Sequence, residues 1–273
     1  MNQITGIQGI EGSFHHQVHL AYFGEETPVA TFDSFPSLVQ ALLNDVITKA
    51  VMAIENSIAG SILPNYALLD HNDLFVSGEH YLNIHHQLLA LPGQKIEDIK
   101  EVRSHPMALL QCTKFFQEHP HIRLVEADDT AAVAYRIAQN KWEGVAAIAS
   151  KTAAELYALD TLAASIQSIE NNVTRFVIVE KKAPSYNQSI NKAALMFTLD
   201  HQRGSLATIL NVMSDCQLNL TKIQSLPVIE TPGKYAFFVD ITFDQIDNYT
   251  KAKSILTLMA QHFKVLGEYR KKK

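Results

Sequence analysis

The sequence predicts an α/β chain that ends in a smaller βαββαβ module. Through the first 160 residues, short apolar runs alternate with helical periodicity, the pattern of a mostly parallel sheet flanked by helices. Beyond residue 190 the order becomes strand, helix, strand, strand, helix, strand, which is the ferredoxin-like plan. At 273 residues, 47% of them hydrophobic and 19% charged, the chain is long and apolar enough for two cores.

Lys49 to Ile54 reads as a strand and runs into Glu55, Asn56 and Ser57. Val102 ends a second strand, ahead of Ser104-His105-Pro106. Ile122 to Val125 is a third, ahead of Asp128-Asp129-Thr130, and Val145 to Ala149 a fourth, ahead of Ser150. These polar residues suit helix starts, where a side-chain oxygen satisfies a free backbone N–H; Ser104, Thr130 and Ser150 are the expected caps. Pro106 fits a first helical turn, and after it Leu109, Cys112, Thr113 and Phe116 form one stripe. Residues 181–191, polar and carrying Pro184, read as a linker between a domain at 1–180 and one at 192–273.

In the second domain Ala193 to Leu199 is a strand. Gly204 to Cys216 is a helix with Leu206, Ile209, Leu210 and Met213 on one face. Leu218 to Leu226 and Tyr235 to Phe243 are strands about a Pro232-Gly233 turn. Asp247 to Phe263 is a helix with Ala252, Ile255, Leu256, Met259 and Phe263 on one face, and Phe263 to Tyr269 closes the sheet.

The net charge is −5. A nucleic-acid partner is not expected, because the only basic run, Arg270-Lys271-Lys272-Lys273, reads as a solvated tail. Cys112 and Cys216 lie far apart in apolar patterns, as buried thiols of a reducing compartment do. No basic and apolar leader opens the sequence, and no run of about 18 apolar residues could cross a membrane. A cytoplasmic protein without membrane contact is expected.

Helices that start at the carboxyl ends of strands aim free N–H groups and a partial positive charge at the space there, which suits an organic anion. Such caps are also ordinary structure. His15 and His19 share a helix face, but no carboxylate or cysteine completes a ligand set with them and His16, so no metal is expected. His85-His86 reads as a strand or loop pair. Two stretches are more specific. Ala53 to Ser61 sets an acid, an amide and a hydroxyl (Glu55, Asn56, Ser57) just past a strand. Asn172 to Val179 sets Thr174 and Arg175 at the start of an apolar strand. Each alone is compatible with a structural turn or a surface pair.

Together these stretches resemble the prephenate dehydratases, and the resemblance extends over nearly the whole chain. Gly9-Ile10-Glu11-Gly12-Ser13-Phe14 is similar to the family's glycine-rich opening. Glu55-Asn56-Ser57 with Gly60, Ser104-His105-Pro106 with Gln111-Cys112, Asp129-Thr130-Ala131-Ala132, Ala147 to Ser150, Ala153 to Tyr157 and Thr174-Arg175-Phe176 follow in order. Gly204-Ser205-Leu206-Ala207 and Asn219 to Ile223 resemble an ACT domain. The implied fold is a two-lobed, periplasmic-binding-protein-like dehydratase domain followed by a ferredoxin-like ACT domain.

The implied reaction is the loss of CO2 and water from prephenate to give phenylpyruvate, with no cofactor. Thr174 matches the family's catalytic threonine, a positioned donor to the departing oxygen. Arg175 would grip a carboxylate by paired N–H bonds, and Glu55 would order it or another donor, or stay protonated if buried. Ser13, Asn56, Ser57, Gln111 and Phe176 would contact substrate. Gly204, Leu206, Asn219 and Leu220 would form an effector pocket for L-phenylalanine, shared between subunits of a homodimer or homotetramer. Two segments depart from the family: His105-Pro106-Met107 replaces the usual His-Pro-Gln, and Gln224-Ser225-Leu226-Pro227 replaces Glu-Ser-Arg-Pro. No fused chorismate mutase segment is apparent, so prephenate is expected from another chain. Two other readings are an arogenate dehydratase and a non-catalytic anion or amino-acid sensor.

Overall fold

The computed structural model describes residues 4–183, 189–200, 202–228, 231 and 233–271. The chain forms two compact units, one of Met1–Gly60 with His80–Phe176 and one of Ser61–Glu79 with Val177–Lys273.

The elements run β1 (Thr5–Gln8), α1 (Phe14–Phe23), β2 (Val29–Phe32), α2 (Phe35–Leu43), β3 (Lys49–Asn56), β4 (Gly60–Ser61), α3 (Leu63–His71) and β5 (Phe75–Asn83). Next come β6 (Gln87–Ala90), β7 (Glu101–Ser104), α4 (Pro106–Gln111), α5 (Thr113–Gln117), β8 (Arg123–Glu126), α6 (Thr130–Asn140), β9 (Val145–Ala149), α7 (Lys151–Leu156), β10 (Asp160–Ala163) and β11 (Val173–Glu180). The last six are β12 (Lys192–Thr198), α8 (Ser205–Asp215), β13 (Asn219–Pro227), β14 (Tyr235–Thr242), α9 (Ile246–Met259) and β15 (Gln261–Tyr269).

Among the described residues three sheets form, in the orders β2-β1-β3-β11-β5 with β4 on β3, β10-β6-β9-β7-β8, and β13-β14-β12-β15. The expected mostly parallel sheet is instead mixed. β1 is parallel to β2 and β3, and β7 to β8 and β9, but β6 runs antiparallel to both β9 and β10. The exceptions have a common cause. β6 and β10 adjoin the two segments, β5 to β6 and β10 to β11, where the chain passes between sheets rather than through a helical crossover.

In the second sheet Leu88 and Ile148 pack with Leu109, Cys112 and Phe116, while Leu89, Ala147 and Ala149 pack with Val133, Ala134 and Ile137. Burial on both faces is why these strands read as continuous apolar runs.

Local details correct several expectations. Ser104 does not cap a helix; its hydroxyl donates to the Ile148 carbonyl at 2.7 Å. The cap of α4 is His105, whose Nδ1 accepts from the Met107 N–H at 3.2 Å. A residue before proline is held in extended backbone, so the residue adjoining Pro106 becomes the cap. Asp129, not Thr130, caps α6 and accepts from the Ala132 N–H at 2.7 Å. Ser150 caps α7 as expected. The helix expected through Phe116 is broken at Cys112, and Thr113 is exposed. Extended backbone at Ala260 stops α9 at Met259, which is 43% exposed, and Phe263 lies in β15. Pro232 and residues 184–188 fall outside the described residues.

In the second unit, one face of the third sheet packs Leu195, Phe197, Val239 and Ile241 against Ile209 and Met213 of α8 and Tyr249, Ala252 and Leu256 of α9. The other face meets α3 and β5. Tyr66 packs edge-on to Phe238, Lys222 Nζ donates to Ser61 Oγ at 2.8 Å, and Lys264 Nζ donates to Asp73 Oδ1 at 2.7 Å. Lys192 Nζ donates to both Glu79 oxygens at 2.9 and 2.7 Å, with each side chain 2% exposed, and the Tyr269 hydroxyl adds a third donor at 3.1 Å. A Cβ on Gly267 would lie 2.2 Å from the Val76 carbonyl oxygen, so the close approach of β15 to β5 requires glycine there.

Candidate active site

The end of β3 lies beside the start of β11, and their side chains are joined by an amide. Asn56, 9% exposed, is the last residue of β3. Its Oδ1 accepts from the backbone N–H groups of Ile58 and Ala59 at 2.9 and 2.8 Å. Its Nδ2 donates to Thr174 Oγ1 at 2.9 Å and to Asn172 Oδ1 at 2.7 Å. Two backbone donors on one end of the amide fix which end is which. Thr174 Oγ1 is therefore an acceptor toward Asn56, and its own hydrogen is available to another group.

Asn172, 0% exposed, continues the network by donating Nδ2 to Gln111 Oε1 at 2.9 Å. The same oxygen lies 2.9 Å from His86 Nε2. Ser57 has a different task. Its hydroxyl donates to the Asn171 carbonyl at 3.0 Å and accepts from the Val173 N–H at 2.9 Å, fastening the turn after β3 to the start of β11.

Strand alternation sorts the two sequence motifs by face. Asn56 touches Thr174, so these two side chains share a face of the first sheet, and Phe176 shares it by the period of two. Glu55 and Arg175, each one residue away, project from the reverse face. Arg175 is 5% exposed and Glu55 is partly buried. Phe176 is 1% exposed, with the His15 ring edge-on at 4.9 Å, so it is a packing group under Thr174. Burial pushes the His15 pKa down to about 4.

Ser13 caps α1, accepting from the His16 N–H at 3.2 Å. Gly12 before it has φ +85, and a Cβ there would come within 3.1 Å of Ala153 Cα in α7. The Gly12 carbonyl accepts from Ser150 Oγ at 2.5 Å. At Gly9 a Cβ would lie 3.1 Å from Asp129 Oδ2, the cap of α6. The starts of α1 and α7 thus meet by close backbone approach at Gly12, the cap of α6 lies against Gly9, and the partial positive charges of the three helix starts add. The neighbouring His16 and His19 serve the helix: His16 Nδ1 accepts from the Gly12 N–H at 3.0 Å, and His19 Nε2 lies 3.0 Å from the Thr27 carbonyl.

Among the described residues the four effector candidates lie at two separate places. Gly204, with φ +84, starts α8, and Leu206 lines a cavity of about 180 Å³ with Leu199, Asp200, Tyr235 and Phe237. Asn219 and Leu220 pair with Thr242 and Ile241 at the far end of β14. Seven strand steps separate Tyr235 from Thr242, about 24 Å. A larger cavity of about 810 Å³ lies between α3 and the third sheet and takes in Leu226 and Pro227.

Sequence reading assigned no role to Asn172 or His86. Asn172 stands two residues before Thr174, at the foot of the same strand, and that adjacency was its signal. His86 had none, since its partner Gln111 is 25 residues away on another element.

The family model for prephenate dehydratase matches residues 5–184. An arogenate dehydratase/prephenate dehydratase of Arabidopsis thaliana is 36% identical over 276 residues, covering 96% of this chain and 71% of that protein. The prephenate dehydratase of Methanocaldococcus jannaschii is 36% identical over 226 residues, 80% of each chain. Among solved structures, a quorum-quenching acylase, GqqA, superposes with TM-score 0.88 at 25% identity over 99% of this chain and 98% of its own. The Staphylococcus aureus prephenate dehydratase has TM-score 0.84 at 28% identity over 98% and 100%. An Arthrobacter aurescens prephenate dehydratase in complex with L-Phe has TM-score 0.87 at 24% over 98% and 90%.

Proposed function

This chain belongs to the prephenate dehydratase family, and from that premise we propose that Thr174 and Asn56 carry out its lyase chemistry. In that reaction the bond from the ring to its carboxylate breaks and CO2 leaves. The electron pair moves into the ring, and the C4–O bond breaks with hydroxide as the leaving group. A proton must reach that oxygen as it departs, so that water is released. Thr174 is the positioned donor, and one proton from solvent restores its hydroxyl, since the prephenate dianion gives a monoanion, CO2 and water. The Asn56 N–H bond to Thr174 Oγ1 stabilises negative charge that develops there as the proton is shared. The observation that carries this reading is the fixed direction of that bond, set by the Ile58 and Ala59 N–H groups.

The gathered starts of α1 and α6, with the Ser13 cap, are the proposed seat for substrate carboxylates. Gln111 acts through Asn172. Glu55 and Arg175 support β3 and β11 from the reverse face. Fold alone does not select the chemistry, as the acylase of similar fold makes plain. The test is incubation of the purified protein with prephenate at neutral pH and an assay for phenylpyruvate, alongside Thr174→Ala and Thr174→Ser. Rapid turnover that Thr174→Ala loses and Thr174→Ser retains in part supports the assignment. Equal turnover by wild type and Thr174→Ala overturns it.

A second reading, arogenate as substrate, is favoured by the name of the Arabidopsis relative. Comparing kcat/KM on arogenate and prephenate decides between them.

The C-terminal βαββαβ module is proposed to be an ACT domain that binds L-phenylalanine, as the Arthrobacter aurescens structure holds that amino acid. The separation of Leu206 from Asn219 suits a pocket completed by a second subunit, in a homodimer or homotetramer. Among the described residues no helix is long and apolar enough to cross a membrane. A cytoplasmic location is part of the same proposal.

A further inference from the structure

His86 is the far end of the network that reaches Thr174, and its protonation follows from the near end. Ile58 and Ala59 donate to Asn56 Oδ1, so that amide cannot exchange its ends. Its Nδ2 therefore faces Asn172, whose Oδ1 accepts. Asn172 Nδ2 is then the end that faces Gln111, whose Oε1 accepts. A carbonyl oxygen only accepts, so His86 Nε2, 2.9 Å from the same oxygen, carries the hydrogen. Each assignment forces the next.

We propose that His86 is a positioning residue for the dehydration, held as its Nε2–H tautomer so that the Gln111–Asn172–Asn56 chain is pinned at both ends and the Thr174 hydroxyl stays aimed as a donor. This rests on the role given to Thr174 above.

Three observations support it. His86 is 3% exposed, with its ring edge-on to Phe14 at 5.5 Å, so it cannot reorient freely. Its Nδ1 is buried with no protein partner, so a second proton would sit on an N–H without an acceptor. Burial, offset in part by Gln111, lowers its pKa and keeps the ring neutral. Without the His86 N–H, the Gln111 amide loses its anchor. Flipped, it sets donor against donor at Asn172, and the conflict passes along to Asn56.

The test has two arms. Nitrogen-15 NMR of histidine-labelled protein reads the tautomer without any turnover: hydrogen on Nε2 and none on Nδ1 is expected, and the opposite tautomer overturns the proposal even if the enzyme is fully active. Kinetics on prephenate reads the consequence. Gln places its amide nitrogen near the position of Nε2, so His86→Gln keeps the donor and should hold kcat within a few-fold of wild type. His86→Leu should lose about tenfold in kcat with KM little changed. Adding His86→Leu to Asn172→Leu should cost nothing further, because both break one chain. Wild-type kcat in His86→Leu, or equal losses in the Gln and Leu variants of matched Tm, overturns it. If wild type turns over neither prephenate nor arogenate while the tautomer is as expected, the functional reading has failed and not the tautomer assignment.

Discussion

Asn56 Nδ2 donates to Thr174 Oγ1 across 2.9 Å, joining residues 118 positions apart. Neither side chain is free to turn the bond around, because the Ile58 and Ala59 N–H groups occupy the other end of the amide.

Asn56→Asp tests that direction with almost no change of shape. A carboxylate still accepts from Ile58 and Ala59, but it cannot donate to Thr174 or Asn172. We expect kcat to fall by roughly 10²-fold, the scale of a lost charge-stabilising donor, with the circular dichroism spectrum unchanged. Turnover within twofold of wild type would show that the bond does not matter to the chemistry.

The Lys192–Glu79 pair predicts an asymmetric stability pattern. Both side chains are 2% exposed. Removing one partner, as in Lys192→Met, leaves a buried carboxylate opposite an apolar chain and should cost about 3–5 kcal/mol in denaturant unfolding. Glu79→Leu combined with Lys192→Met should recover most of that loss. A double variant no more stable than the single one contradicts this account.

His15 predicts an acid sensitivity. Its folded pKa is about 4, against 6.5 for the free ring, because burial disfavours the charged form. The unfolded chain therefore binds this proton first as pH falls. The contribution to stability is fully present above about 6.5, is lost progressively between 6.5 and 4, and changes no further below that. Tm should fall across that window, and His15→Phe should flatten the slope there. A His15→Phe variant with the wild-type slope would assign the effect to other groups.

Asn219→Ala tests the effector reading. Asn219 is exposed at the start of β13, with Nδ2 3.4 Å from Thr242 Oγ1, so its loss should not disturb the core. The expected result is weaker L-phenylalanine binding by calorimetry with basal turnover unchanged. Unaltered affinity would place the effector elsewhere, for instance in the cavity that includes Leu226 and Pro227.

Much of this was legible in the sequence because it is local. Apolar periodicity located β9 to the residue, and β12, α8 and β14 to within one. The Glu55-Asn56-Ser57 and Thr174-Arg175-Phe176 segments marked the right strand ends. What sequence did not show is how those segments divide. Thr174 and Arg175 are neighbours in the chain, and a strand sends adjacent side chains to opposite faces. His86 and Gln111 could not be linked, since only the packed second sheet brings them together. The caps at His105 and Asp129 were missed by one residue each, because cap position depends on backbone conformation and not on residue type alone. The antiparallel strands β6 and β10 escaped because β6 is followed only by a single 3-10 turn at Ile96–Asp98 and β10 runs on to β11, so no long amphipathic helix announces a crossover.

The burial of Lys192 also bears on how the C-terminal module can be handled. A boundary drawn at residue 190 looks natural on paper, since the strand that follows opens the βαββαβ order. Excision there would strip Glu79 from the Lys192 amine and expose the face of β14 that Tyr66 covers. A recombinant fragment meant as a free-standing sensor therefore inherits a buried cation deprived of its Glu79 partner and an uncovered aromatic surface. It would behave poorly for reasons unrelated to its ligand. Evolution faces the same obstacle in transplanting the module: α3 and the early part of β5 must travel with it, or Lys192 must first change.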